Sequence, residues 1–165
     1  MRLGIVSDTH IPGKARNLPT VLLKDMENVD YILHAGDWNT LDVYEELSQL
    51  APVDGVAGNT DGFEIVSRFG YQKILEFGSK KIGIVHGNGM RGTTVDNALG
   101  TFKDEAVDCI IFGHSHIPLI RMDNGILLLN PGSPTDKRGQ PQYSYAILEI
   151  SEQLEARHIF FSQSK

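Results

Sequence analysis

Seven side chains that could bind metal ions follow directly on short apolar runs of this chain. His114 and His116 come just after Asp108-Cys109-Ile110-Ile111-Phe112, a run that reads as a strand buried on both faces. Neutral imidazole is the commonest metal ligand, and open α/β sheets place ligands at the carboxyl ends of their strands. Gly113 is expected to let the backbone turn sharply there. Four more apolar runs end the same way. Asp8 and His10 follow residues 3–6, Asp37 follows 31–35, Asn59 follows 53–56, and His86 closes 80–85. Singly, each has a plainer reading: Asp8 or Asp37 as a helix cap, Asn59 as an Asx-turn, His86 as a hydrogen-bonded core histidine. Jointly they are too many donors for one tetrahedral zinc and the right number for two metals sharing a carboxylate. Asp37 is the natural bridge, because one carboxylate can offer an oxygen to each ion.

The elements that must carry these residues alternate. A strand over 3–6 leads through a loop with Pro12, Gly13 and Asn17 to a helix that starts at Pro19 and turns Val21, Leu22 and Met26 to one side. The strand at 31–35 precedes a helix capped by Asn39 or Thr40, with Leu41, Tyr44 and Leu47 following. After the strand at 53–56 the chain becomes richer in strands. Residues 72–77 and 80–85 read as a hairpin turning at Gly78-Ser79. A helix from Thr93 or Thr94 runs to about Glu105, weakened by Gly100. Beyond the histidine pair, 117–122 and 126–129 form a hairpin turning at Asp123-Asn124-Gly125, and 143–150 and 155–161 alternate as half-buried strands. The expected fold is α/β: two packed mixed β-sheets flanked by helices, a four-layer αββα sandwich, as one domain over residues 1–165.

Composition removes several function classes. The formal net charge is −6 with no dense Lys/Arg cluster, which argues against bulk nucleic-acid binding. No apolar run approaches the ~20 residues that span a bilayer, and the opening Met1-Arg2-Leu3-Gly4 turns polar too soon for a signal peptide. The single cysteine, Cys109, cannot form an internal disulfide, which fits a cytoplasmic location. A small phosphorylated substrate held by local positive charge stays open.

The ordered set Asp8-x-His10, Gly36-Asp37, Gly58-Asn59-x-Asp61, His86-Gly87 and Gly113-His114-x-His116 resembles the motifs of the calcineurin-like metallophosphoesterases, from about residue 3 to 135. The short length and Asn130-Pro131-Gly132-Ser133 resemble the small bacterial and archaeal phosphodiesterase branch. The resemblance implies that Asp8, His10, Asp37 and His116 hold one metal, and that Asp37, Asn59, His86 and His114 hold the other. Three positions depart from the wider family: Thr60 stands where a His follows the Gly-Asn pair, Asn88 where a second His follows His86-Gly87, and Ala57 where an Arg often precedes Gly58. None is a metal ligand. Thr60 and Asn88 are expected in the substrate pocket, where leaving-group contacts differ from the family pattern.

The expected activity is therefore that of a dinuclear metal-dependent phosphodiesterase. A metal-bridging hydroxide would attack a small phosphodiester in line, with Asn59 contacting the phosphoryl oxygens and Asp61, one residue beyond the ligand loop, orienting that loop or a neighbouring imidazole. The cofactors would be two divalent ions, Mn²⁺ first, with Fe²⁺, Zn²⁺ and Ni²⁺ also compatible with nitrogen and oxygen donors. The oligomeric state stays open, a homodimer included. The alternative is a metal-binding scaffold or interaction module without catalysis. His10-Ile11-Pro12 with Leu18-Pro19 resembles the phosphoesterase-like subunit of the retromer coat, but that subunit departs at the Gly-Asp and Gly-Asn positions, and this chain keeps Asp37 and Asn59. Gly87-x-Gly89-x-x-Gly92 matches a dinucleotide fingerprint yet lacks an acidic residue closing the next strand, so it reads as loop. Cys109 reads as core, His34 as packing beneath the site, Trp38 as pocket wall or helix packing, and Lys14 and Arg138 as solvated surface.

Overall fold

The computed structural model describes residues 1–162. Strands β1 (Arg2–Val6), β2 (Tyr31–His34), β3 (Val53–Gly55), β9 (Tyr143–Ile150) and β10 (Leu154–Phe161) form one sheet in the order β10-β9-β1-β2-β3. Strands β4 (Gln72–Phe77), β5 (Lys80–Val85), β6 (Cys109–Ile111), β7 (Leu119–Asp123) and β8 (Ile126–Asn130) form the other, in the order β4-β5-β6-β8-β7. Both sheets are mixed. β1, β2 and β3 run parallel, as do β5, β6 and β8.

Alternation along the strands decides the layers. Leu3 and Ile5 of β1, Ile82 and Ile84 of β5, Cys109 and Ile111 of β6, and Ala146 and Leu148 of β9 bury together between the sheets. Outside the first sheet, Val6, Ile32, Tyr145 and Ile147 meet Leu22 and Met26 of α1 (Thr20–Met26), Val43 and Leu47 of α2 (Leu41–Ser48), and Ile65 and Phe69 of α3 (Phe63–Phe69). Outside the second sheet, Ile110 and Leu128 meet Ala98 of α4 (Thr94–Thr101) and Phe102 just beyond it. The result is the expected four-layer αββα sandwich.

Several local expectations shift. Helix α3 falls between Asp61 and Gln72, where the sequence reading placed no element. It is only seven residues long and bounded by Gly62 and by Gly70 at φ +68, and just two side chains, Ile65 and Phe69, are buried. Helix α4 stops at Thr101, one residue beyond Gly100, rather than near Glu105. Pro19 is the N-cap of α1, not its first helical residue. β9 is not half-buried: it lies between β1 and β10 and is covered on both faces, by α1 on one side and the second sheet on the other. The hairpin turn holds as read, with Asn124 and Gly125 at φ +47 and +81, the left-handed pair that matches strand twist.

Candidate metal centre

The donors do converge, though on the rims of two sheets rather than one. β1, β2 and β3 of the first sheet and β5 and β6 of the second each end beside the others. Asp8, His10 and His116 form one group of donor atoms, and Asp37, His86 and His114 a second, with the atoms of each group within 4.8 Å of one another. Asp8, His10, Asp37, His86 and His116 are buried and His114 is half-buried. The exposed Asn59 joins the second group, its Oδ1 3.1 Å from His114 Nδ1.

Both carboxylates hold one oxygen back. Asp8 Oδ2 accepts from Ser7 Oγ at 2.7 Å and from the His114 amide at 3.0 Å. Asp8 Oδ1 then faces His116 Nε2 at 3.3 Å. Asp37 Oδ1 accepts from the Thr60 amide at 2.9 Å, and Oδ2 faces His86 Nε2 at 3.2 Å and His10 Nε2 at 3.5 Å. One Asp37 oxygen, Oδ2, thus faces both groups.

The imidazoles are fixed from behind. His86 Nδ1 lies 2.7 Å from the Ala35 carbonyl, and His116 Nδ1 bonds the Asp136 carbonyl. A carbonyl only accepts, so both Nδ1 atoms carry a proton, and the form of each ring that can bind a metal turns a lone pair inward at Nε2. His86 Nε2 and Asp8 Oδ1 are buried with no hydrogen-bond partner among the described residues. Acceptors aimed at one another in a buried site are costly unless a cation lies between them. Two donors about 2.1 Å from one ion at octahedral or tetrahedral angles stand about 3.0–3.4 Å apart, as do His116 Nε2 with Asp8 Oδ1 at 3.3 Å and His86 Nε2 with Asp37 Oδ2 at 3.2 Å. The residues present therefore fit divalent cations. The donors are nitrogen and oxygen alone; the only thiol, Cys109, is buried in β6 and its pKa is pushed up by that burial.

Electrostatics agree. Burial alone would raise the pKa of Asp8 and Asp37, yet both lie below the ordinary carboxylate range. The neighbouring His116 and His86 rings outweigh burial at Asp8, and His86 does so at Asp37. Burial would lower His86, but the facing Asp37 and Asp8 carboxylates hold it above the ordinary imidazole value. His10 and His114 are lowered, mainly by burial.

The local backbone is strained where it serves the site. Asp8, His10, Asp37, His114 and His116 all have φ between +45 and +64, a region that costs about 1–3 kcal/mol for residues other than glycine and persists when the surroundings enforce it. Those surroundings are specific. Asp61 accepts from the amides of Gly58, Asp37 and Asn39 at 2.7–2.8 Å, so of its two expected partners it touches the ligand loop and not an imidazole. A Cβ on Gly58 would stand 2.1 Å from Asp37 Oδ1, and one on Gly113 would stand 1.9 Å from Ser7 Oγ. Gly113 is therefore required by close approach, not by a turn: its φ is not among the positive ones.

A third set of supports escaped sequence reasoning. Ser133 Oγ and Thr135 Oγ1 donate to the Asp8 carbonyl, and Thr135 Oγ1 is also 2.6 Å from the Thr9 carbonyl. Asn130 Nδ2 donates to the Gly113 carbonyl and to Ser115 Oγ. β8 is another parallel strand whose carboxyl end reaches the rim, so reading it only as half of a hairpin concealed Asn130.

Other singled-out residues find plain places. Thr60 is exposed, its hydroxyl donating to Asn39 Oδ1 at 2.7 Å, and Asn88 is exposed on the loop after His86. His34 is fully buried and stacked on Trp38, which stacks in turn on Phe69; Trp38 is core, not pocket wall. Arg138, read as solvated surface, donates to the His114 carbonyl at 3.3 Å, close to the centre. Gly87, Gly89 and Gly92 lie in the β5–α4 loop. No helix among the described residues is long and apolar enough to cross a membrane.

The family model of the calcineurin-like phosphoesterase superfamily domain matches residues 1–153. A probable metallophosphoesterase of Methanocaldococcus jannaschii is 39% identical over 96% of this chain and 81% of its own length. A phosphodiesterase of the same organism is 29% identical over 80% of this chain and 83% of its own. Among solved structures, a Vps29 single mutant from Entamoeba histolytica superposes with a TM-score of 0.80 at 23% identity, covering 98% of this chain and 100% of that one.

Proposed function

This chain belongs to the calcineurin-like phosphoesterase superfamily, and on that premise we propose that it is a phosphodiesterase using two divalent cations, Mn²⁺ foremost. The observation that carries the reading is the pair of partnerless buried acceptors, Asp8 Oδ1 and His86 Nε2, 3.8 Å apart between the two donor groups. Asp8, His10 and His116 would hold one ion, His86, His114 and Asn59 the other, with Asp37 shared between them. Cations bound there supply Lewis-acid activation of water and neutralise charge on the phosphoryl group.

The chain's own residues do the rest. Ala35 and Asp136 hold His86 and His116 with lone pairs inward. Asp61 fixes the Gly58 and Asp37 loops, so the Asp37 carboxylate need not reorganise. With Asn59 Oδ1 turned toward His114, its Nδ2 is left at the exposed rim to donate to a phosphoryl oxygen. A small phosphodiester approaches from that rim, where Thr60 and Asn88 flank it. The complete donor set favours an enzyme over a scaffold, because these groups have no structural task that needs them left unpaired.

The test is hydrolysis of bis(p-nitrophenyl) phosphate by stripped and metal-loaded protein. Chelation should abolish turnover and Mn²⁺ should restore it. Undiminished turnover in the stripped protein would overturn the reading, and no turnover with any divalent metal would favour the scaffold.

A further inference from the structure

Beside the centre, on the α4 side of the second sheet, lies a cavity of about 450 Å³ that the donor groups do not use. Val95, Phe112, Ile117 and Leu119 give it apolar walls. Its volume is that of small-molecule sites, which combine apolar walls with a few placed polar groups. Ser115 lines it as well, and Ser115 is the residue between His114 and His116. Adjacent Cα atoms are 3.8 Å apart, so the cavity wall is one residue's step from two candidate ligands.

The polar groups define what fits. Ser115 Oγ accepts from the Asn130 side chain at 3.1 Å and the Ile117 amide at 3.2 Å, and no acceptor among the described residues takes its proton. Thr94, at the α4 end, also has a hydroxyl with no partner among the described residues. Arg121 borders the cavity, its guanidinium half-exposed, and such a group lies flat against rings. The α4 N-terminus is already occupied: Thr93 and Asp96 cap each other there, and the Asp96 carboxylate disfavours a second anion. A plain alkyl group would leave the two hydroxyls unpaired. A neutral ring system with hydrogen-bonding edges, carried on a sugar, meets the walls and the hydroxyls together.

We infer that this cavity binds a nucleoside, as one organic arm of the phosphodiester; the second clause rests on the proposed activity, the first does not. The test is titration of adenosine and thymidine into the metal-free protein, followed by amide shifts in ¹H–¹⁵N spectra. Neither probe carries phosphate, so binding needs no metal and no turnover. The expected result is saturable shifts at Thr94, Val95, Ser115 and Ile117 with at least one nucleoside. Val95→Trp, filling the cavity from a half-buried position, should weaken that binding at least tenfold, and the exposed Arg121→Ala several-fold, with the remaining spectrum unchanged. Absence of saturable shifts, or wild-type binding in both variants, would overturn the site. In metal-loaded protein, the ratio of kcat/KM for a nucleoside p-nitrophenyl phosphate over methyl p-nitrophenyl phosphate should fall at least tenfold in Val95→Trp. Nucleoside binding without hydrolysis of either ester would keep the site and contradict the phosphodiesterase reading.

Discussion

His86 Nε2 stands 3.2 Å from Asp37 Oδ2 while its Nδ1 proton is committed to the Ala35 carbonyl. Without a metal, the Asp37 and Asp8 carboxylates that face the ring favour a second proton on it against the effect of burial, which holds the His86 pKa above the ordinary 6.5. A metal must displace that proton. Apparent affinity should therefore rise with pH until the raised His86 pKa is passed, and then level off. Titration calorimetry near pH 6.5 in buffers of different ionisation enthalpy should show proton release on Mn²⁺ binding. No buffer dependence would contradict this arrangement.

Gly58→Ala tests close approach. The added methyl would overlap Asp37 Oδ1 at 2.1 Å and the Asp37 amide at 2.5 Å. Overpacking of this kind costs typically about 1–3 kcal/mol. The variant should melt lower and bind both ions more weakly, since Asp37 serves both groups. Wild-type affinity would show that the loop gives way without moving the carboxylate.

Thr60 tests leaving-group chemistry. Its hydroxyl is a very weak acid and already donates to Asn39, whereas a placed general acid contributes about 10²–10⁴-fold. Good leaving groups should be handled far better than alkyl ones. Thr60→His should accelerate alkyl phosphodiesters more than aryl ones. An unchanged dependence of rate on leaving-group pKa, with metals still bound, would show that position 60 does not govern protonation.

His34 tests acid stability. Burial pushes its pKa down to about 3 from the ordinary 6.5, with Nδ1 accepting from the Gly36 amide and Nε2 bonded to Thr9. The unfolded chain binds this proton between those values and the folded chain does not, so stability rises with pH across that window and is lost on acidification. The shift corresponds to a contribution on the order of 4–5 kcal/mol. Denaturant unfolding of metal-free protein from pH 7 to 3.5 should show a shallower loss for His34→Gln. Parallel curves would contradict it.

Much of the site was legible because a donor just behind a buried strand leaves a local mark. Asp8, Asp37, Asn59, His86 and His114 could each be found from a few neighbouring residues. Their supports could not. Ser133 and Thr135 reach the Asp8 carbonyl across more than 120 residues of chain, a relation no local pattern carries. Helix α3 was hidden for a related reason: its seven residues hold too few turns for periodicity to show, and packing against Trp38 stabilises it instead. Gly113 was legible as important but for the wrong reason, since only the folded chain brings Ser7 against it.

The sharing of Asp37 by two cation sites is measured by the number of Mn²⁺ ions held per chain in wild type, His116→Ala and Asp37→Ala. Sharing requires two ions in the wild type, preferential loss of one in His116→Ala, and weakened binding of both in Asp37→Ala. Two ions held with undiminished affinity in Asp37→Ala would contradict it.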